Sequence, residues 1–260
     1  MMYSNYLACV REAIQQQPQD WTFKSDPRYR EVLEHTPVEF ADAMLWWSMG
    51  QIPNLDLARV RQLAELNDSV GKPEQQSIKR LGKFAPSNMR YLCHAIKLWQ
   101  HIDSLGFPEV DIVEIGGGYG GLTLWVRGLA ELYRTRLREY YVVDIAEVAI
   151  LQNMVSLELG FGLLARNGTN RADLFSTVKR SPVLFSAYAF SEFDQPTRDW
   201  YAELVVKNCR HGMMIWNFPQ AIDGGDGRMI GGPVYPFVEW PITRVPDEPR
   251  LYDGHEMVTW

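Results

Sequence analysis

The sequence predicts an α/β fold: a doubly wound parallel sheet preceded by a helical region and closed by an antiparallel hairpin. Three observations predict it. The run Asp111-Ile112-Val113-Glu114-Ile115 suits a buried parallel strand, and it ends in the glycine loop Gly116-Gly117-Gly118-Tyr119-Gly120-Gly121. From residue 106 onward strand-like runs alternate with helix-like ones, the order that places a ligand at the carboxyl ends of parallel strands. Near the end, Ile242-Thr243-Arg244-Val245, a turn through Pro246-Asp247-Glu248-Pro249, and His255-Glu256-Met257-Val258-Thr259-Trp260 read as a two-stranded hairpin.

Taken in order, residues 1–105 carry helical patterns at Tyr6 to Gln16, Tyr29 to His35, Pro37 to Met49, Leu55 to Leu66 and Asn88 to Leu105. Trp46-Trp47 is expected to pack between this region and the sheet. Asp103-Ser104-Leu105-Gly106-Phe107-Pro108 is a stop signal, so the chain divides into an N-terminal helical region, 1–105, and a sheet domain, 106–260. Strands are expected at Val110 to Ile115, Tyr140 to Asp144, Val183 to Tyr188 and Met213 to Phe218. Helices are expected from Leu122 to about Leu137, from Ala146 to Leu159 and around Thr197. A further strand belongs between Gly160 and Ser181. Arg134, Arg136 and Arg138 read as the solvated end of the first domain helix, where cations complement the macrodipole.

The glycine loop fits two nucleotide-cofactor patterns. Gly116, Gly118 and Gly121 satisfy G-x-G-x-x-G, the dinucleotide fingerprint. Glu114, Gly116, Gly118 and Gly120 equally satisfy acid-x-G-x-G-x-G, the first motif of S-adenosylmethionine methyltransferases. Glu114 favours the second, because a carboxylate there opposes a pyrophosphate and suits a cofactor bearing an ammonium and a sulfonium. At the end of the next strand Asp144 is placed to accept both ribose hydroxyls of an adenosine, or to cap the helix that follows.

Three segments together resemble one family. They are Val113 to Gly121, Tyr141-Val142-Val143-Asp144-Ile145 with Glu147-Val148 and Leu151-Gln152, and Ser186-Ala187-Tyr188-Ala189-Phe190-Ser191-Glu192. The chain is similar over about residues 85 to 220 to the putative sugar O-methyltransferase family, whose members often carry Asn-Ser-Tyr-Ser-Phe-Ser-Glu in the third segment. The resemblance implies a Rossmann-like class I methyltransferase sheet, S-adenosylmethionine as cofactor, and methylation of a sugar hydroxyl on a glycan or polysaccharide. Class I methyltransferases also end in an antiparallel strand. The cofactor-binding candidates are then Gly116, Gly117, Gly118, Gly120, Glu114 and Asp144, joined at the matching positions by Ile145, Ser186 and Tyr188. Arg90, on the helix leading to the glycine loop, is the candidate for the methionine carboxylate. The adenine contact is expected around Asn167 to Asp173. Two other readings are a nicotinamide-dependent oxidoreductase, which lacks a Tyr-x-x-x-Lys pair here, and a non-catalytic binding module of the same fold.

Composition narrows the class. At 260 residues, 46% hydrophobic and 22% charged, the chain can bury a sizeable core. A net charge of −6 with no dense basic stripe argues against a nucleic-acid partner and for a neutral acceptor. No membrane span is visible. The opening Met1-Met2-Tyr3-Ser4-Asn5-Tyr6 lacks the basic flank and apolar core of a signal peptide, so a cytoplasmic location is expected, or the host cytoplasm for a viral chain. Cys9, Cys93 and Cys209 read as reduced thiols.

Sugar hydroxyls are poor acids, so a general base is useful as well as alignment. Glu192, after the fourth sheet strand, is the first candidate; its alternatives are a carboxylate that supports the site or orients the acceptor, and the cap of the helix at Thr197. His255 is the second, since imidazole titrates near neutral pH. Acceptor contacts are expected from Ser191 and from the loop Asn217 to Pro233, where Asp223 and Asp226 suit sugar hydroxyls or a hard cation. None of the five histidines stands in a strong metal-binding spacing, and no metal is assigned.

Overall fold

The computed structural model describes residues 2–167, 182–217, 241–251 and 254–260. Its centre is a seven-stranded sheet in the order β5-β4-β3-β6-β7-β9-β8. The strands are β3 (Glu109–Ile115), β4 (Arg136–Asp144), β5 (Leu164–Asn167), β6 (Val183–Ala187), β7 (His211–Trp216), β8 (Thr243–Pro246) and β9 (Glu256–Thr259). β3 to β7 are parallel, β9 runs antiparallel to β7, and β8 antiparallel to β9. This is the Rossmann-like sheet with a closing antiparallel hairpin that the sequence predicts. The order reverses direction between β3 and β6, which opens a crevice at their carboxyl ends.

Side-chain alternation assigns the two faces. Ile112, Tyr140, Val142, Val183, Phe185 and Met213 face one way and share a core with the N-terminal helices. Val113, Ile115, Tyr141, Val143, Leu184 and Met214 face the other and pack with Tyr201 and Leu204 of a late helix. Strands buried on both faces read as near-continuous apolar runs, which is why β3 and β4 were legible. One buried cluster takes in residues from Tyr6 to Ile215, so the N-terminal helical region is built into the core of the first face.

The helices are α1 (Met2–Ala13), α2 (Pro27–Arg30), α3 (Val38–Gln51), α4 (Leu57–Asp68), α5 (Ser87–Ser104), α6 (Gly121–Leu129), α7 (Ala146–Leu159), α8 (Ala189–Glu192) and α9 (Gln195–Leu204). Several expectations need correction. The helix expected over Tyr29 to His35 is the single turn α2; Pro37 disfavours a helical Thr36, and the chain turns so that Leu33 reaches the glycine loop. A small hairpin, β1 (Gln76–Ile78) with β2 (Gly82–Phe84), interrupts the helical region. α6 stops at Leu129, not near Leu137, and Arg136 and Arg138 lie on β4. There they face carboxylates of the parallel neighbour β3: Arg136 pairs with Glu109 at 2.5 Å, and Arg138 Nε donates to Asp111 at 2.8 Å. Trp46 is 55% exposed beneath the Arg80 guanidinium rather than packed on the sheet. The expected third strand is β5. No helix among the described residues is long and apolar enough to cross a membrane.

Candidate functional site

Four strand ends deliver the candidate residues to one crevice: the glycine loop after β3, Asp144 at the end of β4, Ser186 and Tyr188 at the end of β6, and Asn217 after β7. The loop is tightly folded. Gly116, Gly118 and Gly120 have φ of +75°, +56° and +90°, conformations that glycine adopts without strain. A Cβ on Gly116 would lie 2.2 Å from that of Ala189, so α8 can approach only a glycine here.

Two carboxyl groups organise the loop from below. Asp144 Oδ2 accepts from Gly117 N at 3.1 Å and from Gln152 Nε2 at 2.8 Å, and its Oδ1 accepts from Ile145 N at 2.8 Å. Gln152 Nε2 also donates to Gly118 O at 2.7 Å, which joins loop, strand end and α7. Burial pushes the Asp144 carboxyl up to about 6. Glu114 is buried on β3, where its Oε2 accepts from the Tyr140 hydroxyl at 2.9 Å. Burial raises it to about 8, against the opposing Tyr140 hydrogen bond, so at neutral pH it is largely protonated. The acid read as a partner for cofactor charge is thus neutral until a cation draws its proton away. Asp144 does not cap α7: the N-cap is Ile145, which has no side-chain acceptor.

The N-terminal region covers the outer side of the loop. A Leu33 methyl lies 2.9 Å from where a Cβ on Gly118 would stand, and Arg90 Nη2 donates to Leu33 O at 2.5 Å. Arg90 therefore holds the covering segment next to the loop. The loop's own Tyr119 is fully buried in that region. Its hydroxyl exchanges hydrogen bonds with Asn67 at 2.8 and 3.1 Å, and the Lys24 ammonium sits 3.9 Å above its ring. Burial brings Lys24 down to about 8, a cost that the Tyr119 ring and a 2.6 Å bond to Asn67 O offset.

Glu192 ends α8 with both oxygens engaged. Tyr3 OH donates to Oε2 at 3.0 Å and Asn217 Nδ2 donates to Oε1 at 2.7 Å. It does not cap α9, a role taken by Asp194, which accepts from Thr197 N at 2.9 Å. Ser191 is buried and its hydroxyl is turned inward, bonding Tyr188 O and Asn217 Oδ1. This fixes the Asn217 amide with its nitrogen towards Glu192, so the residue read as an acceptor contact supports the carboxylate's partner. Ser186 is likewise internal, donating to Ile115 O at 3.0 Å and accepting from Phe190 N at 3.2 Å.

Tyr188 joins this group to the histidines. Its φ of +68° is unfavourable for a tyrosine, and its ring packs edgewise or tilted on two imidazoles, His94 at 5.7 Å and His255 at 5.5 Å. Burial lowers both imidazoles, His94 well below its usual range, and leaves His255 neutral and able to accept a proton. Beside them Lys97 and Asp247 form a buried ion pair at 2.5 Å.

Asp223, Asp226 and the rest of the expected acceptor loop after Asn217 lie outside the described residues, as does most of the expected adenine segment. Among the described residues no group of three or more His, Cys, Asp or Glu is placed to hold a metal ion, and Cys9, Cys93 and Cys209 are free and buried. Sequence reasoning missed Tyr3, Leu33, Gln152 and the role of Asn217. Gln152 alone carried a signal, standing in the second segment of the family resemblance.

No protein-family model matches the chain, and no curated protein does. Among solved structures it is similar to the CMeT domain of the citrinin polyketide synthase, at 16% identity over 53% of this chain and 37% of that one, with a TM-score of 0.39. It is similar to PKMT2 from Rickettsia typhi in complex with AdoHcy, at 14% identity over 50% and 25% of the two chains (TM-score 0.34). A SAM-dependent methyltransferase from Aquifex aeolicus matches at 13% identity over 66% and 78% (TM-score 0.34). The chain thus spans well under half the length of the first two.

Proposed function

We propose that the protein is an S-adenosylmethionine-dependent O-methyltransferase that acts on a sugar hydroxyl of a glycan or polysaccharide. One juxtaposition carries the reading. Gly116, Gly117, Gly118 and Gly120 bend around the end of β3 with the Glu114 carboxyl beneath them, while Asp144 holds Gly117 N from the end of β4. These residues fit the cofactor: Asp144 Oδ1 has one protein donor and lone pairs left for ribose hydroxyls, and Glu114 is a buried acid that a cation would ionise. When bound, S-adenosylmethionine supplies the sulfonium methyl.

The chain's own residues then have to align the acceptor oxygen and take its proton. Glu192 is the candidate base, held by Tyr3 and Asn217 so that a carboxylate oxygen stays fixed at the crevice. His255 is the second candidate proton acceptor, its ring 5.5 Å from that of Tyr188. Arg90 and Leu33 cover the loop side. The sugar specificity rests on the family resemblance of the three segments and on the net charge of −6.

Calorimetry with S-adenosylhomocysteine, S-adenosylmethionine and NAD tests the cofactor. Binding of the first two and not the third is expected; binding of NAD alone would overturn the proposal. A panel of rhamnose, fucose and hexose glycosides, assayed by mass gain with S-adenosylmethionine, tests the acceptor.

A further inference from the structure

Gln152 occupies the junction of the glycine loop and the end of β4. It is fully buried on α7, and its single amide nitrogen donates twice, to Gly118 O at 2.7 Å and to Asp144 Oδ2 at 2.8 Å. Its Cγ lies 4.0 Å from where a Cβ on Gly120 would stand, so the stem passes next to the last of the loop's left-handed glycines. Gly118 O and Asp144 Oδ2 are both acceptors, so the NH2 end must face them; the reversed amide would set oxygen against oxygen. The side chain's own Oε1 is left buried without a hydrogen-bond partner among the described residues. An orphaned buried acceptor is costly, and packing alone would be served by an apolar side chain of the same length. The two donated bonds are what the amide adds there.

Asp144 depends on donors of this kind. Its carboxylate accepts from Gly117 N, Ile145 N and Gln152 Nε2, and Gln152 is the one side chain of the three. The titratable groups that face it are Glu114 on β3, Tyr3 and Tyr6 on α1 and Tyr201 on α9. Burial raises all four, Glu114 to about 8, so each is largely uncharged at neutral pH. At the start of α7, Glu147 is paired with the exposed Arg11 at 2.7 Å. With no free cation among these groups, the charge on Asp144 is stabilised by hydrogen bonds. Burial pushes its carboxyl up to about 6, and the three donors hold it from rising further.

We propose that Gln152 is a positioning residue of the cofactor site: its one NH2 group clamps Asp144 to the glycine loop, leaves Asp144 Oδ1 for the ribose and stabilises the carboxylate form. The inference rests on the cofactor reading above and adds the side chain through which Asp144 is held ready. A carboxylate accepts from both ribose hydroxyls, whereas a protonated acid carries a donor on one oxygen. Cofactor affinity therefore falls as pH drops through the Asp144 midpoint, and loss of the Gln152 donor moves that fall to higher pH.

The test follows the full chain in two readouts. One is the Asp144 carboxyl carbon by NMR, its signal identified by loss in Asp144→Asn; the other is S-adenosylhomocysteine affinity by calorimetry from pH 5.5 to 8. In Gln152→Met, which keeps the length without the donor, the Asp144 midpoint should rise by about one pH unit, or roughly tenfold in proton affinity. The affinity loss relative to wild type should be roughly tenfold greater at pH 5.5 than at pH 8, a ratio that removes what Glu114 contributes equally to both proteins. Gln152→Glu keeps the native shape, sets a second carboxyl against Asp144 and should raise the midpoint further. That variant decides the matter if Gln152→Met does not fold. A midpoint unmoved in both variants, or a loss that is the same at every pH, would mean that Gln152 only packs and would overturn the proposal. No binding by wild type at any pH would sink the cofactor reading and this role with it, whereas binding by wild type with an unmoved midpoint in the variants sinks the role alone.

Discussion

Replacing Glu114 by Gln should make the protein more stable in mild alkali, although it removes a native side chain. The folded carboxyl keeps its proton up to about 8, whereas a solvated one releases it at 4.5. Between those values the native state binds more protons than the unfolded chain, so unfolding free energy falls as pH rises. At roughly 1.4 kcal/mol per pH unit, the span from 4.5 to about 8 amounts to on the order of 5 kcal/mol, a large part of the stability of an ordinary domain. Gln keeps the shape and still accepts from the Tyr140 hydroxyl, but carries no proton to lose. Urea unfolding of wild type and Glu114→Gln from pH 5 to 8.5 reads the effect. Asp144 contributes a fall of the same sign in both proteins, so the difference between the two curves isolates Glu114. That difference should be near zero at pH 5 and grow steadily in favour of the variant towards pH 8. Parallel curves, or a variant less stable at pH 8, would show that the carboxyl is not buried in its protonated form and refute the reasoning.

Gly118→Val should abolish S-adenosylhomocysteine binding, and its positive φ and the nearby Leu33 methyl should add a loss of about 1–3 kcal/mol in thermal unfolding; wild-type affinity would mean that the pocket lies elsewhere. Asp144→Ala should weaken the same ligand roughly thirtyfold by calorimetry, and should also lower stability, because Gly117 N and Gln152 lose their acceptor. Glu192→Gln should cut turnover roughly a hundredfold with cofactor affinity near wild type, while collapse in His255→Ala alone would transfer the base to the histidine. Tyr119→Phe should cost about 1 kcal/mol in urea unfolding by removing the Asn67 hydrogen bonds, and a faster-exchanging Gly118 amide would report the loosened loop.

The sequence by itself determined the features that depend on neighbours in the chain. A strand buried on both faces must be apolar, and a loop that passes through three left-handed conformations must be glycine-rich, so β3, the loop, β4 and the closing hairpin could be read directly. The same locality put Asp144, Glu192 and His255 at strand or helix ends, where ligands meet this kind of sheet. Only the tertiary structure decided what those groups touch. Protonation of Glu114 follows from burial and the Tyr140 hydroxyl, and the orientation of Asn217 follows from Ser191 across two strand ends. Tyr3 reaches Glu192 across 189 positions of chain, and Leu33 reaches Gly118 from a turn that periodicity reads as helix. Arginines spaced two apart could sit on a helix or a strand, and the choice was made by Glu109 and Asp111 on a neighbouring strand. Hydrophobic period and turn residues are set by local geometry, whereas charge state and hydrogen-bond partners depend on which distant segments exclude water from the site.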